Sequence, residues 1–345
     1  MPIHFKPVLV LRSESSTPVS IGGYDKKVQR KISTNREIVE DLRTQSLRGV
    51  FRWWTRAFLS GVLFQLGFNE KNLIEAVTKL SSNIWGGVQG TTWLQVNSFV
   101  NKIEKPYDWP FRLPRNLFRN VKGFILLNKA EWSPLEEDYV RLATLSVITS
   151  FLLGCFGKRS RKGLGCFDIH VIWSPMRDVL EITKKVFNSD SIQDLVRYTF
   201  NVAKHIVHKS YGNLESSSDL PPIPSISPGV FRIYRCHLNR EPIFASNLFV
   251  SCMKDAAMKS RSHRRNWILG LPRRGEEGLK SRRPSPIIFS AHKGRGYISV
   301  FYSSDWPEQI DLDPANIREV MNEFVKDLLK CLRTHNLNCE GGDVF

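Results

Sequence analysis

The sequence lacks an apolar run long enough to cross a bilayer. Its longest candidate, Leu142 to Phe156, is interrupted by Thr144, Ser146, Thr149 and Ser150, whereas a spanning helix needs roughly eighteen or more apolar residues. No C-x-x-C pair occurs. Six cysteines stand alone at 155, 166, 236, 252, 331 and 339, and this spacing excludes a zinc ribbon and a thioredoxin-like site. Long low-complexity basic tails are missing, which argues against a generic nucleic-acid chaperone. Acidic residues are few: 33 Asp and Glu face 50 Lys and Arg, a net charge of +17. An enzyme for small metabolites has no need of that excess, whereas a partner with many phosphates does. The opening residues, Met1-Pro2-Ile3-His4, hold neither an apolar signal core nor a cleavage site. They read as a cytoplasmic protein with no membrane partner.

What is present suffices for two domains: 345 residues, 41% of them hydrophobic. Ile3 to Leu11 reads as a strand, and a long polar loop, Ser13 to Gln45, follows it. Ser46 is the expected cap of a helix reaching about Leu66. Trp93 to Val100 and Val121 to Asn128 read as strands. Ser133-Pro134-Leu135-Glu136 reads as a capping box opening a helix that ends near Gly154. Cys166 to Trp173 closes the set as a strand with alternating faces. Strand, helix, strand, strand, helix, strand is the ferredoxin-like order, whose open sheet face RNA-recognition modules use. Residues 176 to 213 are helical in period, and prolines 221, 222, 224 and 228 stiffen a connector. The first order then recurs: strand Val230 to Leu238, helix Phe244 to Met258, a hairpin-like pair (Pro286 to Ser290, Gly296 to Tyr302), and a closing helix capped by Asp313-Pro314. The fold expected is α+β, two ferredoxin-like (RRM-like) domains in tandem with glycine-rich loops and helical insertions. Their bounds are 1–175 and 230–345, with a helical segment and connector at 176–229.

Two segments carry the chemistry. In Gly157-Lys158-Arg159-Ser160-Arg161-Lys162-Gly163-Leu164-Gly165, four bases sit between glycines. Glycine permits positive φ, so backbone N–H groups can line one concavity while the bases supply charge, and phosphates need both. It is not a Walker A loop, which would need glycine at Leu152 and Ser or Thr at Arg159. In Ser46-Leu47-Arg48-Gly49-Val50-Phe51-Arg52-Trp53-Trp54-Thr55-Arg56-Ala57, the bases Arg48, Arg52 and Arg56 recur every four residues as one stripe. Leu47, Val50, Phe51, Trp54 and Phe58 form the buried face. Arg48 and Arg52 are candidates for phosphate contact, and Trp53 for stacking.

Together these segments resemble the RAMP superfamily of CRISPR proteins, and within it subunit one of the type III-B Cmr effector complex. Gly270-Leu271-Pro272-Arg273 and Arg283-Pro284-Ser285-Pro286 share the likeness. The resemblance implies a subunit near the crRNA 3′ end that helps capture target single-stranded RNA beside other Cmr subunits. It also implies no nuclease activity in this chain; separately, no cofactor and no metal are expected. Leu164 departs from the aromatic often found there.

A second glycine site, Lys293-Gly294-Arg295-Gly296-Tyr297-Ile298, partly follows the RNA-recognition strand pattern, with Arg295 in place of the first stacking ring and Val300 in place of the last. Lys293 and Arg295 read as backbone contacts. Arg261, Arg264, Arg265, Arg282 and Arg283 join the same surface. Lys254 to Arg295 holds twelve bases and three acids, a net of +9, and Ser303 to Phe345 four bases and nine acids, a net of −5. The last helix is therefore expected to face solvent or protein. Cys331, His335 and Cys339 would share a face only if their helix continued, and no fourth ligand is evident. The rival function is a metal-independent, crRNA-processing RAMP endoribonuclease, which needs a general base and acid, often histidine, beside a lysine or tyrosine that stabilises the phosphorane. His170, His205 and His208 all have structural readings instead. Asp311-Leu312-Asp313 is the only D-x-D, too little for a two-metal site.

Overall fold

The structure, a computed structural model, describes residues 4–20, 43–86, 93–104, 117–157, 160–189, 191–212, 220–259, 268–269, 285–305 and 314–345. β1 (Phe5–Ser15) and the two-residue β2 (Val19–Ser20) are followed by helices α1 (Thr44–Gln65) and α2 (Glu70–Trp85). Then come β3 (Leu94–Glu104), β4 (Leu117–Ala130), α3 (Glu137–Leu153) and β5 (Phe167–Trp173). Two helices follow, α4 (Arg177–Ser189) and α5 (Ile192–Tyr211). The last part is β6 (Phe231–His237), α6 (Pro242–Met258), β7 (Ile287–His292), β8 (Arg295–Phe301), α7 (Pro314–Thr334) and β9 (Cys339–Asp343).

The strands form two antiparallel sheets. In the first the order is β3-β4-β1-β5, with β2 beside the start of β4. In the second it is β7-β8-β6-β9. Each thus places its strands as second, third, first and fourth of its own set. Register follows the alternation of apolar residues: Leu11 lies opposite Ile125 in β4, and both side chains are buried.

α3 explains how the sheets meet. A helix with one partner is apolar along one stripe only. Thirteen consecutive or near-consecutive residues of α3, from Val140 to Leu153, are buried instead. The helix packs on β1 and β5 of the first sheet and on β7 and β8 of the second. The second sheet is therefore covered on both faces: α6 packs on β7 from the other side, and every residue of β7 is buried. The connector is seated rather than free. Ile226 N–H donates to the Ala57 carbonyl at 2.8 Å, and Ser60 and Ser225 share a 2.5 Å hydrogen bond. A side chain at Gly61 would overlap the Ile226 backbone, so this crossing requires glycine.

Three local expectations are corrected. Ser46 lies inside α1, whose N-cap is Arg43 without a side-chain cap. The Ser133 hydroxyl accepts from the Leu135 N–H and so shapes a turn, and α3 starts after Glu136 with no side-chain cap. Helix α2, capped by Asn69 accepting from the Asn72 N–H, fills a stretch for which no element is expected from the sequence reading. Asp313, the expected cap of the last helix, lies outside the described residues.

All six cysteines are paired: Cys155–Cys166, Cys236–Cys339 and Cys252–Cys331. Cys331 and Cys339 share no helix face, because the helix ends at Thr334. Cys339 has left the helix for β9, where it lies opposite Cys236, and Cys331 joins α7 to α6.

Candidate nucleic-acid interface

The two segments singled out in the sequence meet in space. The N-terminal half of α1 and the loop after α3 line one hollow of about 300 Å³, to which Ser46, Gly49 and Trp53 contribute from the helix and Ser160 and Arg161 from the loop. The Arg161 guanidinium carbon lies 5.0 Å from the centre of the Trp53 ring, a cation–π contact. Trp53 is also edge-on to Trp54 at 5.2 Å and to Phe301 at 5.4 Å. Its ring is thus a half-buried wall of the hollow rather than a free stacking surface.

The arginine stripe is real but does not project freely. Arg52 Nη2 donates to Ser82 Oγ at 3.0 Å, and Arg56 Nε donates to Ser81 Oγ at 3.0 Å. Both serines belong to α2, a helix absent from the sequence reading. Burial, together with the charge of Arg52, lowers the pKa of Arg48 and of Arg56. Arginine stays cationic nonetheless. Three partly desolvated cations on one stripe repel one another, and a phosphate nearby would relieve that.

The loop's glycines serve a purpose beyond phosphate approach. Gly157, Gly163 and Gly165 all have positive φ (90°, 76° and 78°). A Cβ at Gly163 would overlap Ser246 of α6, and one at Gly165 would overlap the Phe156 carbonyl. The Gly163 carbonyl accepts from Ser246 Oγ at 2.8 Å, and the Gly165 N–H is taken by Pro18 O at 3.0 Å. The Arg161 carbonyl accepts from the Phe289 N–H at 3.1 Å, and its side chain donates to Ser285 O at 2.6 Å. Lys162 forms a bridge with Phe289. The loop is thus pinned to β7, and its two later glycines are packing devices.

Lys293 and Gly294 form the β7–β8 turn, with Gly294 at φ 76°. The turn faces the first sheet. Exposed Lys293 lies 3.3 Å from Glu14, and Arg295 sits 5.5 Å over the Phe187 ring. Both border a 390 Å³ cavity with Asp168 and Arg235. Lys158, Arg159, Arg261, Arg264, Arg265, Arg282 and Arg283 lie outside the described residues. Among the histidines, His205 pairs with Asp138 at 3.4 Å and His170 is exposed on β5. Buried His292 is held by Asp168 and by Leu152 O.

No known family's profile matches the chain. Among curated proteins it is 26% identical over 297 residues to the CRISPR system Cmr subunit Cmr1-1 of Pyrococcus furiosus, covering 78% of this chain and 82% of the relative. The chain is similar to Cmr1 over most of its length. A second subunit of that organism, Cmr1-2, is 23% identical over 165 residues, 38% of this chain and 84% of the relative. The crystal structure of Cmr1 from Pyrococcus furiosus, in its apo form, shares the fold: TM-score 0.54, 17% identity, covering 96% of this chain and 97% of that one. A chain of the type III-B Cmr-beta structure bound to cognate target RNA matches with TM-score 0.60 at 11% identity, covering 94% and 100%. The likeness to Cmr1 spans both sheets, since the match extends over nearly the whole chain.

Proposed function

We propose that this chain is a non-catalytic RNA-binding subunit of a type III-B CRISPR (Cmr) effector ribonucleoprotein, acting in the cytoplasm beside other Cmr subunits. In this reading it contacts target single-stranded RNA and the crRNA 3′ region. It is built of two ferredoxin-like modules, 1–175 and 230–345, bridged by the helical segment and connector at 176–229. Similarity to Cmr1 supports the complex, and the shared second-third-first-fourth strand order supports the modules. One observation carries the RNA-binding part. The arginine helix and the basic glycine loop, about a hundred residues apart in sequence, meet at one hollow where Arg161 covers Trp53, while Arg48, Arg52 and Arg56 lie on the adjoining face of the helix and not in the hollow itself. The phosphate contacts belong to Arg48, Arg52, Arg56, Lys158, Arg159, Arg161 and Lys162, with Lys293 and Arg295 on the adjoining turn. Such contacts position a strand without reading its sequence.

Affinity measured against salt tests this on two unrelated RNAs. Neutralising Lys158, Arg159, Arg161 and Lys162 together should weaken both RNAs about equally, and flatten the salt slope by about 0.7 for each phosphate that is no longer neutralised. An unchanged slope, or a weakening confined to one RNA, would refute the assignment. Incubation with labelled RNA in chelator tests the non-catalytic part. Site-specific cleavage abolished by His170→Ala or His205→Ala would favour the endoribonuclease instead.

A further inference from the structure

The two third strands hold a similar segment, in the middle of β4 and at the start of β8. β4 carries Lys122-Gly123-Phe124-Ile125 and β8 carries Arg295-Gly296-Tyr297-Ile298. Both segments follow K/R-G-F/Y, on β8 two residues after the alignment that starts at Lys293, and both strands stand second in spatial order beside the first strand of their set. In that pattern the first and third residues point out of the sheet on the side away from its own helices.

The two copies meet different surroundings. On β8 that side is covered. Arg295, Tyr297, Ser299 and Phe301 share it by alternation, Arg295 lies over Phe187 of α4, and Phe301 packs on Trp53 and Trp54 of α1. Tyr297 is fully buried. On β4 no described element covers the corresponding side. Phe99 on β3 is 54% exposed and Ile172 on β5 49%, while Phe124 is half-buried.

We infer that the open face of the first sheet is a second RNA surface, on which unpaired bases stack. The inference rests on the RNA-binding reading above and adds a site distinct from the hollow beside Trp53 and Arg161. Register aligns one row across the four strands: Phe99, Phe124, Arg12 and His170 are successive cross-strand partners. Neighbouring strands lie about 4.8 Å apart, so side chains along such a row are adjacent. Phe99 supplies the second ring that Leu126 lacks in the strand pattern. A shallow 230 Å³ hollow beside the row is lined by Arg12, Asn101, Lys122 and Phe124, so cations and a ring border the same space. Two acids share this face: Glu14 is held by Lys122 at 3.0 Å and by Lys293 at 3.3 Å, and Asp168, opposite Glu14 on β5, lies 3.2 Å from His292. Those lysines keep the pKa of Glu14 below the usual carboxylate range. Gly123 completes the fit, because a Cβ there would overlap the Phe99 carbonyl and push β3 off β4. Rings for bases, cations for phosphates and exposed amides for base edges suit a single strand of RNA better than an apolar protein patch.

The test uses the full chain with a labelled oligouridylate and an abasic ribose-phosphate oligomer of equal length. Wild type should prefer the base-bearing strand by about tenfold for each stacked ring. Phe99→Leu with Phe124→Leu keeps apolar bulk but removes both rings. It should abolish the preference and leave abasic affinity, salt slope and melting temperature unchanged, whereas Phe124→Tyr should retain it. Ultraviolet crosslinks of oligouridylate should map to peptides holding Phe99 or Phe124. A double variant with wild-type preference, or crosslinks found only elsewhere, overturns the inference while leaving the RNA-binding reading of the arginine helix and glycine loop standing. The face would then be a protein contact. A wild-type chain that binds neither strand overturns the RNA-binding reading and this inference with it.

Discussion

Trp53 and Trp54 are adjacent in sequence but differ in duty. Trp54 is 1% exposed and packs on Phe301 of the second sheet. Trp54→Ala should cost about 3–5 kcal/mol in denaturant unfolding, the range for emptying a buried aromatic site. Arg48→Ala with Arg52→Ala should weaken RNA binding at a far smaller cost in stability, on the order of 1 kcal/mol for the hydrogen bond to Ser82. Gly163→Val combines a backbone at φ 76° with overlap on Ser246. It should therefore destabilise by about 2–5 kcal/mol in the same measurement, while each surviving folded molecule keeps the wild-type salt slope. Tyr302 gives a pH signature. Burial pushes its phenol up to about 12 from 10.0, so the folded state holds this proton more tightly than the unfolded chain does. The stability it contributes is full below about pH 10 and is lost as pH rises towards 12. Tyr302→Phe also removes the hydrogen bonds to Asn322 and Arg232. It should lower the melting temperature at neutral pH and flatten its fall across the alkaline window.

Elements with regular periods are legible in the sequence, and those stabilised by distant partners are not. α1, α3, β4 and β5 fall within a few residues of their expected bounds, because apolar spacing alone marks them. α2 carries the same signal, since Leu73, Val77, Leu80 and Ile84 hold helical spacing and are buried. That spacing is enough to reveal the helix, and with it Ser81 and Ser82, the partners that restrain the arginine stripe. β9 reads Cys-Glu-Gly-Gly-Asp, which has no strand propensity. It exists because β6 offers an edge and Cys236 a covalent partner. That pairing spans 103 residues and the Cys252–Cys331 pairing 79, separations over which spacing says nothing. Chain-entropy arguments assign loops of such length about 4–5 kcal/mol, more than typical measurements deliver. Cys236→Ser with Cys339→Ser should therefore lower stability by about 2–5 kcal/mol and release β9, read as faster amide exchange at Arg235 and His237, whose N–H groups lie on the β9 side of β6. Thiol titration of the denatured, unreduced chain should find no free cysteine.

At the scale of the whole molecule, α3 belongs to two cores at once. Neither sheet keeps a complete partner without it, so the halves should not melt separately. Helical circular dichroism and tryptophan emission should trace one coincident transition, and two resolved steps would show independent modules. The same geometry explains why the segments expected to touch RNA are only partly free: the seam between the halves runs through Trp53, Arg161 and Gly163. The bond between Cys155 and Cys166 closes a ring across the base of the glycine loop, spanning 11 residues. A protease that cut inside this ring would not shorten the molecule. The nicked protein would run as one band on a denaturing gel without reductant and as two bands with it. Without a denaturant it would stay whole even after reduction, because β1, before the cut, is zipped to β5, after it.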